Sequence, residues 1–159
     1  MKKFLIFFLC FLFLFGFVFR ELLFNISTHL YDWGDGPYII WVIFQNIQKI
    51  KSLDFLHFFD TNAFYPHKMT LLFSDILLPQ SLIALPFSLI IKNPIFVFNI
   101  VFFITFIFNY CGAFLLWNKL FKNTLLAFFG SLLVVFSPFF HLQLGHFQMM
   151  SYWPFFFSL

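Results

Sequence analysis

The chain has 159 residues, of which 62% are hydrophobic and 9% charged, with a formal net charge of +3 and a mean hydropathy of +0.95. A soluble domain carries about a quarter charged residues, and one this small must leave much of its surface in water. Composition therefore excludes an ordinary soluble fold, and the scattered Lys and Arg exclude a nucleic-acid patch.

An all-α integral membrane protein follows, with lipid as the solvent for its apolar surface. The 33 phenylalanines fit lipid-facing positions and an A/T-rich coding bias, and carry no functional weight alone. All six acids (Glu21, Asp32, Asp35, Asp54, Asp60, Asp75) fall between residues 21 and 75. Beyond residues 20–75 the charges are Lys2, Lys3, Lys92, Lys119 and Lys122. Cys10 and Cys111 lie inside apolar runs, where buried thiols are expected rather than a disulfide or a metal site.

In chain order, residues 1–24 predict a first transmembrane helix. Met1-Lys2-Lys3 precedes an uncharged run over 4–19, and no small-residue cleavage site follows before Arg20-Glu21. An uncleaved signal anchor with its N-terminus in the cytoplasm is expected. Residues 25–93 predict an outer loop with interfacial or re-entrant helices. Gly34-Asp35-Gly36-Pro37 is a turn leading into a helix at 38–51. There Ile40, Ile43, Phe44, Ile47 and Ile50 share one face, and Gln45, Asn46, Gln48 and Lys49 another. The run 76–91 gives about 24 Å of helix, short of the roughly 30 Å hydrocarbon layer, and Pro79 and Pro86 interrupt it. A re-entrant element suits it. Residues 94–159 predict further transmembrane helices, at 95–117 and 124–138, with Leu159 falling inside another and the chain truncated. With 76–91 not crossing, Lys119 and Lys122 share the cytoplasmic side with Lys2 and Lys3, and 139–150 returns to the acidic side.

Asp35 is the main candidate for chemistry, as a general base toward a hydroxyl or as a metal ligand. Its alternative is a helix cap or turn aspartate, as for Asp32. Asp75 opens the 76–91 run, where capping is again the alternative. His67 and Lys68, in the loop from Asp60 to Lys68, suit a phosphate near the membrane surface; a snorkelling anchor is the other role for Lys68. His141, His146 and Gln148 form a second polar island, in which Gly145 permits a helix break. Polar groups within so apolar a stretch are costly to bury, so function and interfacial solvation both remain open.

These pieces resemble the N-terminal part of a GT-C-type membrane glycosyltransferase. The resemblance rests on Trp33-Gly34-Asp35-Gly36-Pro37, Phe59 through Pro66, and Ser74-Asp75-Ile76-Leu77-Leu78. It continues through Leu85-Pro86, Asn93-Pro94 with Asn99, and Phe136-Ser137-Pro138-Phe139 with His141, His146 and Gln148. It covers roughly residues 30–150. It implies a multi-span helical bundle in the inner (plasma) membrane, with interfacial helices in the first outer loop. It further implies transfer of a sugar from a polyprenyl-phosphate carrier to an acceptor on the extracytoplasmic face. Asp35, and less strongly Asp75, would be catalytic, while Lys68, His67, His141, His146 and Gln148 would bind substrate. A divalent metal is compatible with the family but not required by it. Such proteins run to several hundred residues, so this chain is expected to be incomplete. A non-catalytic membrane subunit or lipid-handling protein is the alternative; a transporter fragment fits less well, since the predicted spans lack charged residues.

Overall fold

The structure, a computed structural model, describes residues 2–159; Met1 and the Lys2 side chain, part of the expected anchor charge, lie outside the described residues. It is helical, with no strand among the described residues. The helices are α1 (Lys2–Val18), α2 (Arg20–Phe24), α3 (Gly36–Ser52), α4 (Leu78–Ser88), α5 (Pro94–Phe121), α6 (Thr124–Val135), α7 (Pro138–Leu142) and α8 (Trp153–Ser158). A 3₁₀ turn at Thr70–Phe73 precedes α4.

Among the described residues, two helices are long and apolar enough to cross a membrane: Pro94–Phe121, and Thr124–Leu142, which joins α6 and α7. At 28 residues α5 extends about 42 Å. Pro94 sits in its first turn, and the Asn93 side chain accepts from Phe96 N at 3.1 Å, a proline-and-cap start. Asn93 Nδ2 also donates to Ser27 O at 2.9 Å, fastening that start to the segment after α2. The first predicted span is helical but bends at Phe19 before continuing as α2, and α1 falls among the shorter apolar helices. The run 76–91 forms only α4, 11 residues or about 16 Å, entered through Leu77 in the left-handed region at φ 50°.

Aromatic side chains hold α1 against α5. The Phe11 and Tyr110 rings stack at 4.0 Å, and Phe19 packs edge-on to Phe102 and Phe106. Phe4 meets Phe114 and Phe7 meets Phe128, so the start of α1 lies beside the end of α5 and the start of α6. Lys3, Lys119 and Lys122 thus share one end of the molecule. The last segment runs back to that same end: Phe108 contacts Trp153, and Lys119 Nζ donates to Leu159 O at 2.7 Å. At Gly112 an added Cβ would stand 2.7 Å from Phe156 Cβ, which is how closely α8 approaches α5. Outward, Leu5, Leu9, Phe13 and Phe17 of α1 and Leu125, Phe129 and Leu133 of α6 are exposed.

The helix expected at 38–51 is present, with a different inner row. Ile39, Val42, Ile43, Asn46 and Ile47 are buried, while Ile40, Phe44 and Ile50 are only partly so. Asn46, assigned to the polar side from sequence, is fully buried: its amide donates to Ile76 O at 2.5 Å and to Ser81 Oγ at 2.9 Å. Packing of α3 against α4 accounts for the shift, because an amide that ties two helices is better enclosed than solvated.

Candidate functional site

The turn at residues 32–36 decides what Asp35 does. Asp32 takes the local role: its carboxylate accepts from Gly34 N at 3.3 Å and Asp35 N at 3.0 Å, a short aspartate-centred turn. The Asp35 backbone carbonyl starts α3 by accepting from Ile39 N, but its side chain makes no capping bond. That carboxylate instead lies 3.7 Å from His146 Nε2, with both side chains more than half exposed. Gly145 makes the approach feasible, since a Cβ there would meet Asp32 Oδ2 at 2.6 Å. The turn between α7 and α8 therefore sits directly on the turn before α3. In so exposed a pair the attraction contributes roughly 0–1 kcal/mol, too little to be the reason for the arrangement.

The other predicted residues occupy separate places. His141 lies between the rings of Phe19 and Phe136, and its Nδ1 is buried without a hydrogen-bond partner. His67 and Lys68 line a hollow of about 480 Å³ with Phe64, Thr70 and Phe73. That loop is folded by Met69 N donating to Asp60 Oδ1 at 2.7 Å, by the Thr61–Thr70 hydroxyl pair, and by Leu71 N donating to Phe59 O. Asp75 and Gln148 line another hollow, of about 260 Å³. Asp75 caps nothing, because α4 begins after Leu77 with no side-chain cap. Tyr38, one turn into α3 from Asp35, hydrogen-bonds Ser74 through its hydroxyl, linking the Asp35 and Asp75 regions.

Three features were not anticipated from sequence. An apolar groove of about 710 Å³ runs between the end of α3 and the start of α4, lined by Ile50, Phe55, Phe58, Phe59, Leu78 and Leu82 among others. Beside it, Asp54 is clasped by Lys49 Nζ at 2.8 Å and His57 Nδ1 at 2.9 Å. Hydrogen bonds from Lys49 and then His57 hold its carboxyl down from 3.8 to about 2. Third, the apolar helices enclose Asn99 and Asn109, whose amides donate to Ile26 O and His29 O, and to Met150 O, respectively. A lone amide within a long apolar run was the signal for these.

Among the described residues no three His, Cys, Asp or Glu side chains converge on one point. The Asp35–His146 pair would give a divalent ion one carboxylate and one imidazole, leaving water and substrate phosphate to complete its shell. The chain matches no family model, no curated protein and no solved structure.

Proposed function

We propose that this chain is a multi-pass membrane protein of GT-C-like glycosyltransferase type, acting on a lipid-phosphate sugar donor at the extracytoplasmic face of the plasma membrane. The observation that carries the reading is the Asp35 carboxylate, free of any capping role and 3.7 Å from His146. The apolar outer faces of α1 and α6 support the membrane location, since side chains such as Phe13 and Leu133, 76% and 75% exposed, suit lipid better than water.

In the proposed reaction Asp35 accepts the proton of an acceptor hydroxyl whose oxygen attacks the anomeric carbon of the donor. The bond from that carbon to the phosphate oxygen breaks, and its electron pair leaves with the polyprenyl phosphate. The His146 ring or the Lys68 ammonium offsets the charge on the departing phosphate. The groove beside α4 accommodates part of the prenyl chain. The Phe59–Leu71 hydrogen bond joins its wall to the loop carrying His67 and Lys68, placing an apolar trough next to a cation.

The test is sugar transfer from a polyprenyl-phosphate donor by membranes containing the chain, compared with Asp35→Asn. Loss of transfer by about two orders of magnitude or more supports the assignment, and unchanged transfer refutes it. The second reading, a non-catalytic lipid-handling protein, is favoured by the apolar groove and by the separation of Asp35, on an exposed turn, from the hollow of Lys68 and the hollow of Asp75. It predicts donor binding with no transfer and no response to Asp35→Asn.

A further inference from the structure

The loop over residues 53–73 holds more apolar surface outward than a segment outside the membrane keeps in water. Leu53, Phe55 and Leu56 form one exposed tip, and Phe64, Tyr65 and Phe73 a second. Leu56 is 95% exposed and Phe73 84%, both above Phe13 on the outer face of α1. The loop is folded all the same. Leu71 N donates to Phe59 O, the Thr61 and Thr70 hydroxyls pair, and Phe58 and Leu71 are buried beneath. It therefore has an inner side, and the six residues of the tips are not on it.

Clustered apolar surface of this kind marks an interaction site, and the charges beside it select the partner. Both acids of the loop are committed within it, Asp54 to Lys49 and His57, and Asp60 to Met69 N. Lys51 and Lys68, one near each tip, are exposed and, among the described residues, pair with no carboxylate. Aromatic and leucine side chains flanked by unpaired lysines suit the headgroup layer of a bilayer. There the rings enter the upper acyl chains and the ammonium groups meet phosphates. We infer that the loop over 53–73 is a membrane-docking surface, with Lys51 and Lys68 binding the headgroups of anionic lipids. The bilayer that holds α5 is tethered to this loop at high effective concentration, which favours it over a partner arriving from solution. Phe55 also lines the groove between α3 and α4, so docking opens that groove to acyl chains rather than to water. In the transferase reading the phosphate at Lys68 becomes the donor's own. The inference goes beyond that reading and rests only on the chain lying in a membrane.

The test uses the full chain, with Cys10 and Cys111 replaced by Ala, in nanodiscs of phosphatidylcholine alone or mixed with phosphatidylglycerol. A spin label is attached at Leu56→Cys, at Phe73→Cys, or at Leu133→Cys on the outer face of α6 as the reference. All three positions and both lysines are exposed, so the variants should fold as the parent does. Collisions of the label with oxygen, which partitions into lipid, are compared with collisions with a neutral, water-soluble nickel chelate. Oxygen should dominate at 56 and 73 as at 133. Phosphatidylglycerol should strengthen that preference at 56 and 73, and Lys51→Glu/Lys68→Glu should then cut the oxygen-to-nickel ratio at least about threefold. Nickel dominating at 56 or 73 while oxygen dominates at 133 overturns the docking surface and leaves the membrane reading intact. Nickel dominating at all three positions discards both. A label shielded from both reagents shows the face covered by protein, a second copy or another partner, and overturns the proposal as well. So does a ratio indifferent to phosphatidylglycerol and to the lysine variants.

Discussion

Asp32 and Asp35 show how two like residues in one turn divide their work. The first folds the turn and the second is left with an uncommitted carboxylate near His146. Gly145→Ala tests the contact on which this depends: its Cβ would collide with Asp32 Oδ2, and a loss of about 1–3 kcal/mol in thermal stability is expected, together with a wider Asp35–His146 separation. Asp54 gives a pH prediction. Its folded value lies near 2 against 3.8 unperturbed, so the folded chain binds fewer protons than the unfolded one across that interval. The contribution of the Lys49–Asp54–His57 clasp is therefore complete above 3.8 and is lost as pH falls toward 2. Melting curves across that interval should slope downward for the native chain and flatten for Asp54→Asn. From sequence, Asp35 could be singled out by its neighbouring glycines, but a cap and a free carboxylate look identical there. The difference lies in Asp32, three residues back, taking the backbone bonds first.

At the level of elements, Pro37 and Pro94 marked helix starts legibly, whereas Pro79, expected to interrupt a run, and Pro138, expected to end a span, also sit at helix entrances, and Asn93 and Ser137 cap theirs. Asn93→Ala should cost about 1 kcal/mol from the cap, and more if the Ser27 contact is counted. The inner face of α3 was half legible. Ile43 and Ile47 were assigned correctly, but Asn46 was placed with the polar side because helical periodicity sorts residues by polarity, and only the partner helix α4 makes a buried amide favourable. Asn46→Ala should destabilise the α3–α4 pair by about 1–3 kcal/mol, seen as earlier loss of helix in detergent melts. The phenylalanines, given no weight from composition, turn out to form the α1–α5 contact through Phe11, Phe15, Phe19, Phe102 and Phe106. Periodicity had no purchase on them, because helices apolar on every side show no preferred face.

The molecule as a whole is polarised along α5. Lys3, Lys119 and Lys122 gather at one end, while the turn at residues 32–36 and His146 lie toward the other, held through Asn99 to Ile26 and His29 and through Phe147 to Phe98 and Phe102. From charge placement, Lys2 and Lys3 ahead of the first span and Lys119 and Lys122 after 95–117 were expected on one side. Sequence did not anticipate that the predicted site residues lie apart, His67 and Lys68 in one hollow, Asp75 and Gln148 in another, and Asp35 with His146 on exposed turns, because spacing along a chain does not reveal which loops meet. The proposed extracytoplasmic chemistry requires that the two ends lie on opposite sides of a bilayer. The direct measurement is labelling by a membrane-impermeant thiol reagent in intact cells, with Cys10 and Cys111 replaced by Ala and single cysteines introduced as Lys122→Cys or His146→Cys. The account predicts that position 146 reacts in intact cells and position 122 only after the membrane is opened. Reaction of both from outside, or of 122 alone, would contradict it.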